Sequence, residues 1–265
     1  MPKQLLQRHQ KAIDKLVKEY QDDERFPALI IGGSVAKGLA REDSDVDFMI
    51  VAKDEEFKKR SGSGELFINR SDLTDYPGGF VDGKIIDLEY LREVAAKGNE
   101  PTRAAFDGAF MAYSHIGDLE DLVRTINQYP ETGRSQRIKS FYSMSFIQNW
   151  LMGEASRHDN LYTQTRAASQ LVLFAGRLIL AHNRVLFPYH KWFMAYLEQC
   201  PEKPRHFMEH IDVLLKEPNL KNANNLFQGL QDFRDWGVPD LDAYHWFMEE
   251  VEWSWRKGQT SWEDL

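Results

Sequence analysis

The residues whose types and spacing could support chemistry lie between two apolar runs near the N-terminus. The first run, residues 29–31, ends in a Gly-Gly-Ser turn at 32–34. A polar segment then leads to Asp45 and Asp47, at the head of the second apolar run, residues 48–51. This order predicts a phosphate-binding turn beside two carboxylates on one face of a strand.

The glycine turn is suited to binding an anion. Glycine lets the backbone adopt positive φ and approach a ligand closely, because no Cβ stands in the way. The N–H groups of Gly32 and Gly33, followed by a predicted helix start at about 35–39, would form an anion site. Ser34 would add a hydroxyl donor.

The two carboxylates are predicted to hold a metal. Asp45 and Asp47 are two residues apart in a strand, so both side chains point to the same face. Magnesium suits such a pair because it accepts few protein carboxylates and completes its shell with water and phosphate oxygens. Asp87, in a second strand-like segment at 84–89, is the expected third carboxylate, with Glu89 in reserve. Two Mg²⁺ ions about 3.5–4 Å apart could then align a phosphoryl or nucleotidyl transfer.

The pattern resembles the polymerase-beta-like nucleotidyltransferase superfamily over roughly the first 130 residues. That pattern is a Gly-Ser turn, a short helix with a closing glycine, Ser-Asp-x-Asp on a strand and a later strand aspartate. The matching residues are Gly32, Gly33, Ser34, Gly38, Ser44, Asp45, Asp47 and Asp87. Small antibiotic and minimal nucleotidyltransferases are the most similar members, because the chain is short and a helical region follows. Lys37 departs from the arginine of many members, which keeps the charge but loses a bidentate fork.

The resemblance implies an enzyme that transfers a nucleoside monophosphate from a nucleoside triphosphate to an acceptor hydroxyl and releases pyrophosphate. ATP is the expected donor, and a small molecule, an antibiotic among the candidates, is the expected acceptor. The implied metal ligands for two Mg²⁺ ions are Asp45, Asp47 and Asp87, of which Asp87 would also take the acceptor's proton. The implied nucleotide-binding residues are Gly32, Gly33, Ser34, Lys37 and Ser44.

Composition narrows the class of partner. The chain has 265 residues and a formal net charge of −8, which argues against bulk nucleic acid as a partner because nucleic acid favours basic surfaces.

A single cysteine, Cys200, excludes an internal disulfide and fits a reducing cytoplasm. No signal peptide is visible, and no run approaches the roughly 18 apolar residues of a membrane span. We therefore expect a cytoplasmic protein that binds no membrane.

The predicted fold is α+β, with a change of character near residue 130. Residues 1–130 are expected to form the catalytic domain, a mixed sheet with flanking helices. Its predicted helices are 3–20, 91–97, 101–112 and 118–128, and its predicted strands are 28–32, 46–52 and 84–90. Residues 131–265 are expected to form an acceptor-binding helical bundle. Its predicted helices are 134–158, 160–183, 189–199, 203–216, 221–234 and 240–257.

Two residues of the helical half could contribute to the reaction. Glu154 continues an apolar helical stripe, where burial would raise its pKa and suit it to act as a general base; the alternative is a structural pair with His158 or with an arginine of the next helix. Lys191 lies beside Trp192 at a predicted helix start and could contact a triphosphate there. The alternative is that the aromatic residues of this segment only fill the interior of the bundle.

Two other functions stay open. The chain could be an antitoxin-type module that modifies or binds a protein. The helical half could act on RNA, because Arg177 and His182 match the Arg-x4-His pattern of HEPN ribonucleases. The two side chains would lie about 140° apart on a regular helix, which argues against a shared site.

Overall fold

The chain divides into two compact units, Met1–Gln128 and Tyr129–Leu265. The computed structural model describes residues 5–260 of these units. Within that range, no helix is both long enough and apolar enough to cross a membrane.

The first unit is built on one five-stranded sheet. The strands are β1 (Ala28–Ile31), β2 (Val46–Ala52), β3 (Phe67–Arg70), β4 (Val81–Asp87) and β5 (Phe110–Ser114). Their order across the sheet is β3-β4-β2-β1-β5. β2 and β4 run parallel, whereas the other neighbouring strands are antiparallel. The sheet is therefore mixed, which confirms the predicted fold class.

Helices cover both faces of this sheet. They are α1 (Gln7–Tyr20), α2 (Gly33–Lys37), α3 (Asp54–Ser63), α4 (Leu88–Lys97), α5 (Glu100–Ala104) and α6 (Leu119–Ile126). Successive strand residues point to opposite faces, so Leu29 and Ile31 share one apolar cluster with α1. Ala28 and Ile30 share the other cluster with α4 and α6.

The second unit is helical in its described part. Its α-helices are α7 (Arg134–Arg157), α8 (Leu161–His182), α9 (Phe193–Gln199), α10 (Phe207–Lys216), α11 (Leu220–Phe233) and α12 (Asp240–Phe247). A short 3₁₀ turn lies between α8 and α9 at His190–Trp192, and π and 3₁₀ turns follow α12 at Met248–Glu252 and Ser254–Lys257. α7 and α8 form a hairpin joined by residues 158–160, and both contribute to one apolar cluster with α9, α10 and α11.

Several predicted elements of the first unit were wrong in detail. The predicted strand 84–90 lies at Val81–Asp87, and the predicted helix 101–112 ends at Ala104 before a strand at Phe110–Ser114. The Ser-Gly-Ser-Gly segment at 61–64 contains the last residues of α3 and its C-cap. Gly64 ends that helix in the left-handed region, with φ +76°, which is a common helix C-cap.

Two mid-helix glycines of the second unit make a matched stability test. An added Cβ at Gly176 would lie 2.3 Å from the ring of Phe193 and 2.7 Å from Leu197, whereas one at Gly153 would meet nothing within 4 Å. Phe193 and Leu197 are both buried. We expect Gly176→Ala to destabilise the chain by about 1–3 kcal/mol through overpacking. Gly153→Ala should be neutral or stabilising by up to about 1 kcal/mol, since alanine favours helix.

The measurement is the urea unfolding midpoint of each full-length variant. Equal shifts for the two variants would contradict the close packing of α9 against Gly176.

Candidate active site

Three aspartates of the first unit converge at the head of two neighbouring strands. Each of Asp45, Asp47 and Asp82 offers a carboxylate oxygen, and these oxygens all lie within 4.8 Å of one another. The parallel register of β2 and β4 places Asp47 directly opposite Asp82. Asp45 lies one residue before β2, so it reaches the same face by the alternation of an extended chain. All three side chains are half-buried.

The electrostatics of this group favour a bound cation. Partial burial raises the pKa of the Asp82 carboxyl. The negative charge of Asp45 raises it further, whereas the positive charge of Lys84 lowers it. Three carboxylates at this separation repel one another. A hard divalent cation with oxygen ligands would relieve that repulsion. The donor set therefore fits the Mg²⁺ that the sequence predicts.

Asp87 is not part of this group, which corrects the predicted third ligand. It pairs with Ala52 at the far end of β4, five residues or about 16 Å along the strand from Asp82. Its carboxylate accepts a hydrogen bond from the Tyr90 backbone N–H at 2.7 Å. Asp87 is thus the N-cap of α4, a position that favours aspartate. The reserve candidate Glu89 is exposed and faces Arg92 at 3.8 Å.

The sequence prediction missed Asp82, because the predicted strand begins at 84, whereas β4 begins at Val81. In the structure Gly83 is a strand residue, and an added Cβ would lie 2.2 Å from the ring of Phe48. This glycine marks a close approach between β4 and β2, not a turn.

The glycine turn packs directly against the carboxylate group. Gly33 has φ +60°, and an added Cβ would lie 1.7 Å from Oδ2 of Asp47. The Gly32 N–H donates to the Asp47 carbonyl at 3.0 Å. Gly33 therefore allows a contact that no other residue type could make, while the Gly32 N–H fastens the turn to β2 and is not directed at a phosphate.

Ser34 presents a buried hydroxyl at the start of α2. The residue is 5% exposed, and its Oγ has no hydrogen-bond partner among the described residues. Buried polar atoms nearly always have a partner. A ligand oxygen in the turn would supply one.

The structure gives Lys37 a role inside the protein. Its ammonium group is buried and donates to the Ala104 carbonyl at 2.9 Å, and it lies 3.4 Å from Oδ2 of Asp107. Burial lowers the pKa of Lys37, while Asp107 and, more weakly, Asp47 oppose that effect. Lys37 therefore joins α2 to the segment after α5, and its contact with a nucleotide stays a prediction.

Ser44 closes the turn that precedes Asp45. Its Oγ accepts a hydrogen bond from the Arg41 N–H at 2.9 Å, and its carbonyl accepts one from the Tyr76 hydroxyl at 2.7 Å. These bonds are structural, so a direct contact of Ser44 with a nucleotide also stays a prediction.

Glu154 and Lys191 belong to the second unit. Glu154 is paired with Arg157 of the same helix and lies 3.8 Å from His158; the structural alternative named His158 or an arginine of the next helix. Lys191 is exposed, with its ammonium 5.6 Å from the centre of the Trp192 ring. Neither contact indicates a role in catalysis or nucleotide binding.

Arg177 and His182 do not share surroundings. The Arg177 guanidinium stacks between the rings of Phe141 and Phe187, at 4.4 and 4.6 Å. The His182 ring contacts Glu202 at 2.8 Å through Nε2 and Arg234 at 3.0 Å through Nδ1. These contacts involve different side chains, which gives no support to a ribonuclease site formed by the two.

Strand carboxylates packed against a glycine turn, on a mixed sheet covered by helices, define a class of protein, the nucleotidyltransferases. Residues 13–95 match the family model of the nucleotidyltransferase domain. The match confirms the resemblance seen in the motif and the predicted enzyme class, a transferase.

Comparison with solved structures gives a weaker likeness. A nucleotidyltransferase-like protein from Exiguobacterium sibiricum 255-15 is 12% identical in sequence, with a TM-score of 0.48. The alignment covers 92% of this chain and 79% of that chain. No curated protein matches the sequence.

Gly33 can be tested against a glycine with the same backbone conformation but open surroundings. Gly64 has φ +76° and no atom within 4 Å of an added Cβ. Gly64→Ala should therefore lower the free energy of unfolding by about 1–2 kcal/mol, the cost of a left-handed backbone conformation for a residue with a Cβ. Gly33→Ala should lower the free energy of unfolding by more than this, because its Cβ would also displace the Asp47 carboxylate. Thermal unfolding of the two full-length variants measures the difference, and equal losses would contradict the close contact between Gly33 and Asp47.

Proposed function

We propose that the chain transfers a nucleoside monophosphate from a nucleoside triphosphate, with ATP as the expected donor, to a hydroxyl of a small-molecule acceptor. Pyrophosphate is the second product. The observation that carries this proposal is the convergence of Asp45, Asp47 and Asp82 beside the Gly33 turn. The nucleotidyltransferase domain itself implies a nucleoside triphosphate as substrate.

The carboxylate group would hold Mg²⁺, and two ions are the proposed number. Asp45 and Asp47 would contribute to both ions, with Asp82 completing the site in place of Asp87. Bound Mg²⁺ would neutralise the triphosphate and favour departure of pyrophosphate. The chain's own contribution is to fix three oxygen donors in one place before substrate arrives, which lowers the reorganisation needed for reaction.

The glycine turn would bind the phosphates. Gly33 lies against Asp47, so a phosphate on the turn would adjoin the proposed metal ligands. The Ser34 hydroxyl would donate to a phosphate oxygen and so gain the partner that it lacks among the described residues. The Gly32 N–H is bonded to the Asp47 carbonyl, so it would hold the turn in place instead.

Asp82 is the proposed acceptor of the proton from the attacking hydroxyl. Its carboxylate oxygen lies within 4.8 Å of those of Asp45 and Asp47, so it would adjoin a hydroxyl brought to the proposed metal site. Asp45 and Asp47 would orient the nucleotide, and Asp82 would also orient the acceptor.

The acceptor is proposed as a small molecule because the formal net charge of −8 disfavours nucleic acid. Antibiotics such as aminoglycosides or lincosamides are candidates, with other metabolites. An acidic protein is compatible with a polycationic aminoglycoside, although net charge alone does not select one. Transfer to a protein is the competing function, and the position of the label in an assay with α-labelled nucleotide distinguishes the two.

Exchange of single carboxylates tests the metal assignment. We expect Asp47→Asn and Asp82→Asn to lower nucleotide turnover at least about a hundredfold, since each removes a preorganised charge from the site. Asp87→Asn should keep turnover and change only stability, because it retains much of the N-cap function of α4. Pyrophosphate release with Mg²⁺ measures the effect. Loss of turnover in Asp87→Asn with full turnover in Asp82→Asn would reverse the assignment.

A ligand screen tests the donor and the acceptor class. A ligand that binds only the folded chain raises its melting temperature by mass action. We expect the largest shift with ATP plus Mg²⁺, and a smaller one with either alone, because Mg²⁺ would neutralise the carboxylates that repel the triphosphate and the triphosphate would add oxygen ligands to the metal. Acceptor classes are then added to the ATP and Mg²⁺ mixture. No shift with any of the four nucleoside triphosphates would contradict the proposed function.

A further inference from the structure

The turn at 41–44, just before Asp45, accepts hydrogen bonds from two side chains that lie outside the turn. The Tyr76 hydroxyl donates to the Ser44 carbonyl at 2.7 Å, and Nη1 of Arg8 donates to the Glu42 carbonyl at 3.0 Å. Arg8 belongs to α1, and Tyr76 belongs to the loop between β3 and β4. Two separate parts of the unit therefore converge on the residues just before Asp45.

Tyr76 is itself closely fixed by its surroundings. Its ring packs so near the Gly79 backbone that an added Cβ there would lie 2.4 Å away. The His9 ring meets it edge-on at 5.7 Å, and the Arg8 guanidinium lies 5.5 Å from its centre. These contacts orient the phenol toward the turn.

The loop that carries Tyr76 is also tied to α1. Lys11 contacts the carboxylate of Asp75, the residue before Tyr76, at 3.0 Å. Arg8 and Lys11 are three residues apart, so they lie on the same face of α1. One helix face thus holds both the Asp45 turn and the tyrosine that bonds it.

Asp45 needs such support more than the other two carboxylates do. Asp47 and Asp82 lie within β2 and β4 and are fixed by the strand pairing. Asp45 precedes β2, so its position depends on the turn at 41–44. The nearby charge of Asp45 and Asp82 would push the turn outward unless other contacts resist it.

We propose that Tyr76 and Arg8 are positioning residues, which hold the 41–44 turn so that Asp45 meets Asp47 and Asp82. This inference rests on the proposed function, because the position of Asp45 matters through the cation that the three carboxylates would share. Neither side chain is assigned a contact with substrate. They act through the Ser44 and Glu42 carbonyls.

The test compares two tyrosines that make the same kind of bond. Tyr76→Phe removes only the hydroxyl that bonds the Ser44 carbonyl. Tyr113→Phe removes the hydroxyl that donates to the Phe26 carbonyl at 2.9 Å, near the opposite end of β1 from the Gly33 turn. The probe is Mn²⁺ alone, titrated by calorimetry into the full-length chain without nucleotide.

We expect Tyr76→Phe to weaken Mn²⁺ binding about three- to tenfold, the scale of one lost hydrogen bond. Tyr113→Phe should leave Mn²⁺ affinity unchanged, whatever it does to the melting temperature. Arg8→Gln should weaken Mn²⁺ binding as Tyr76→Phe does. Its control is Arg92→Gln, which removes a positive charge from the exposed face of α4 and should leave Mn²⁺ affinity unchanged.

The outcomes separate this inference from the proposed function. Unchanged Mn²⁺ affinity in both Tyr76→Phe and Arg8→Gln, with normal binding by the unaltered chain, would overturn the positioning role alone. Weaker binding in Tyr113→Phe as well would also overturn it, since the effect would then be general destabilisation. An unaltered chain that binds no Mn²⁺ would overturn the metal assignment itself, and this inference with it.

Discussion

The parallel pairing of β2 with β4 is the constraint on which the candidate site depends. Its register sets Asp47 opposite Asp82, and Asp45 reaches the same place from the preceding turn. Two like charges about 4 Å apart repel by about 1 kcal/mol in water and about 4 kcal/mol at an effective dielectric constant of 20. The folded unit must hold these charges together against that repulsion. The apolar clusters on both faces of the sheet provide the rigid support that does so.

Close packing at the same strands explains why glycine occurs at two unusual positions. Gly33 leaves space for the Asp47 carboxylate, and Gly83 leaves space for the Phe48 ring. The first glycine brings the proposed phosphate turn to the carboxylates, and the second brings β4 close to β2. A side chain at either position would separate parts that the site needs in contact. The two glycines thus act on geometry and not only on local flexibility.

Local features of the site could be predicted from the sequence, whereas features set by strand register could not. Asp45, Asp47 and Gly33 lie within one continuous motif, so their types and spacing sufficed. Asp82 joins them only through a parallel pairing across 35 residues of chain, and it lies before the predicted strand start at 84. Asp87 lies in a segment that resembles a strand, but that resemblance does not say which end of the strand meets the site. Apolar periodicity likewise identified the long helices α7 and α8, yet it missed the short edge strand β3.

The partners of Lys37 bear on how a triphosphate could be accommodated. Lys37 lies close to the carboxylate group, but its ammonium is bonded to the Ala104 carbonyl and Asp107. Under the proposed function, the negative charge of three aspartates and a triphosphate would therefore be balanced chiefly by divalent cations. Metal and nucleotide would then each raise the affinity for the other, since coupling between two binding equilibria is reciprocal. Because Asp45 is the carboxylate that the strand pairing does not fix, the turn before it is the place where small structural changes would alter that coupling most.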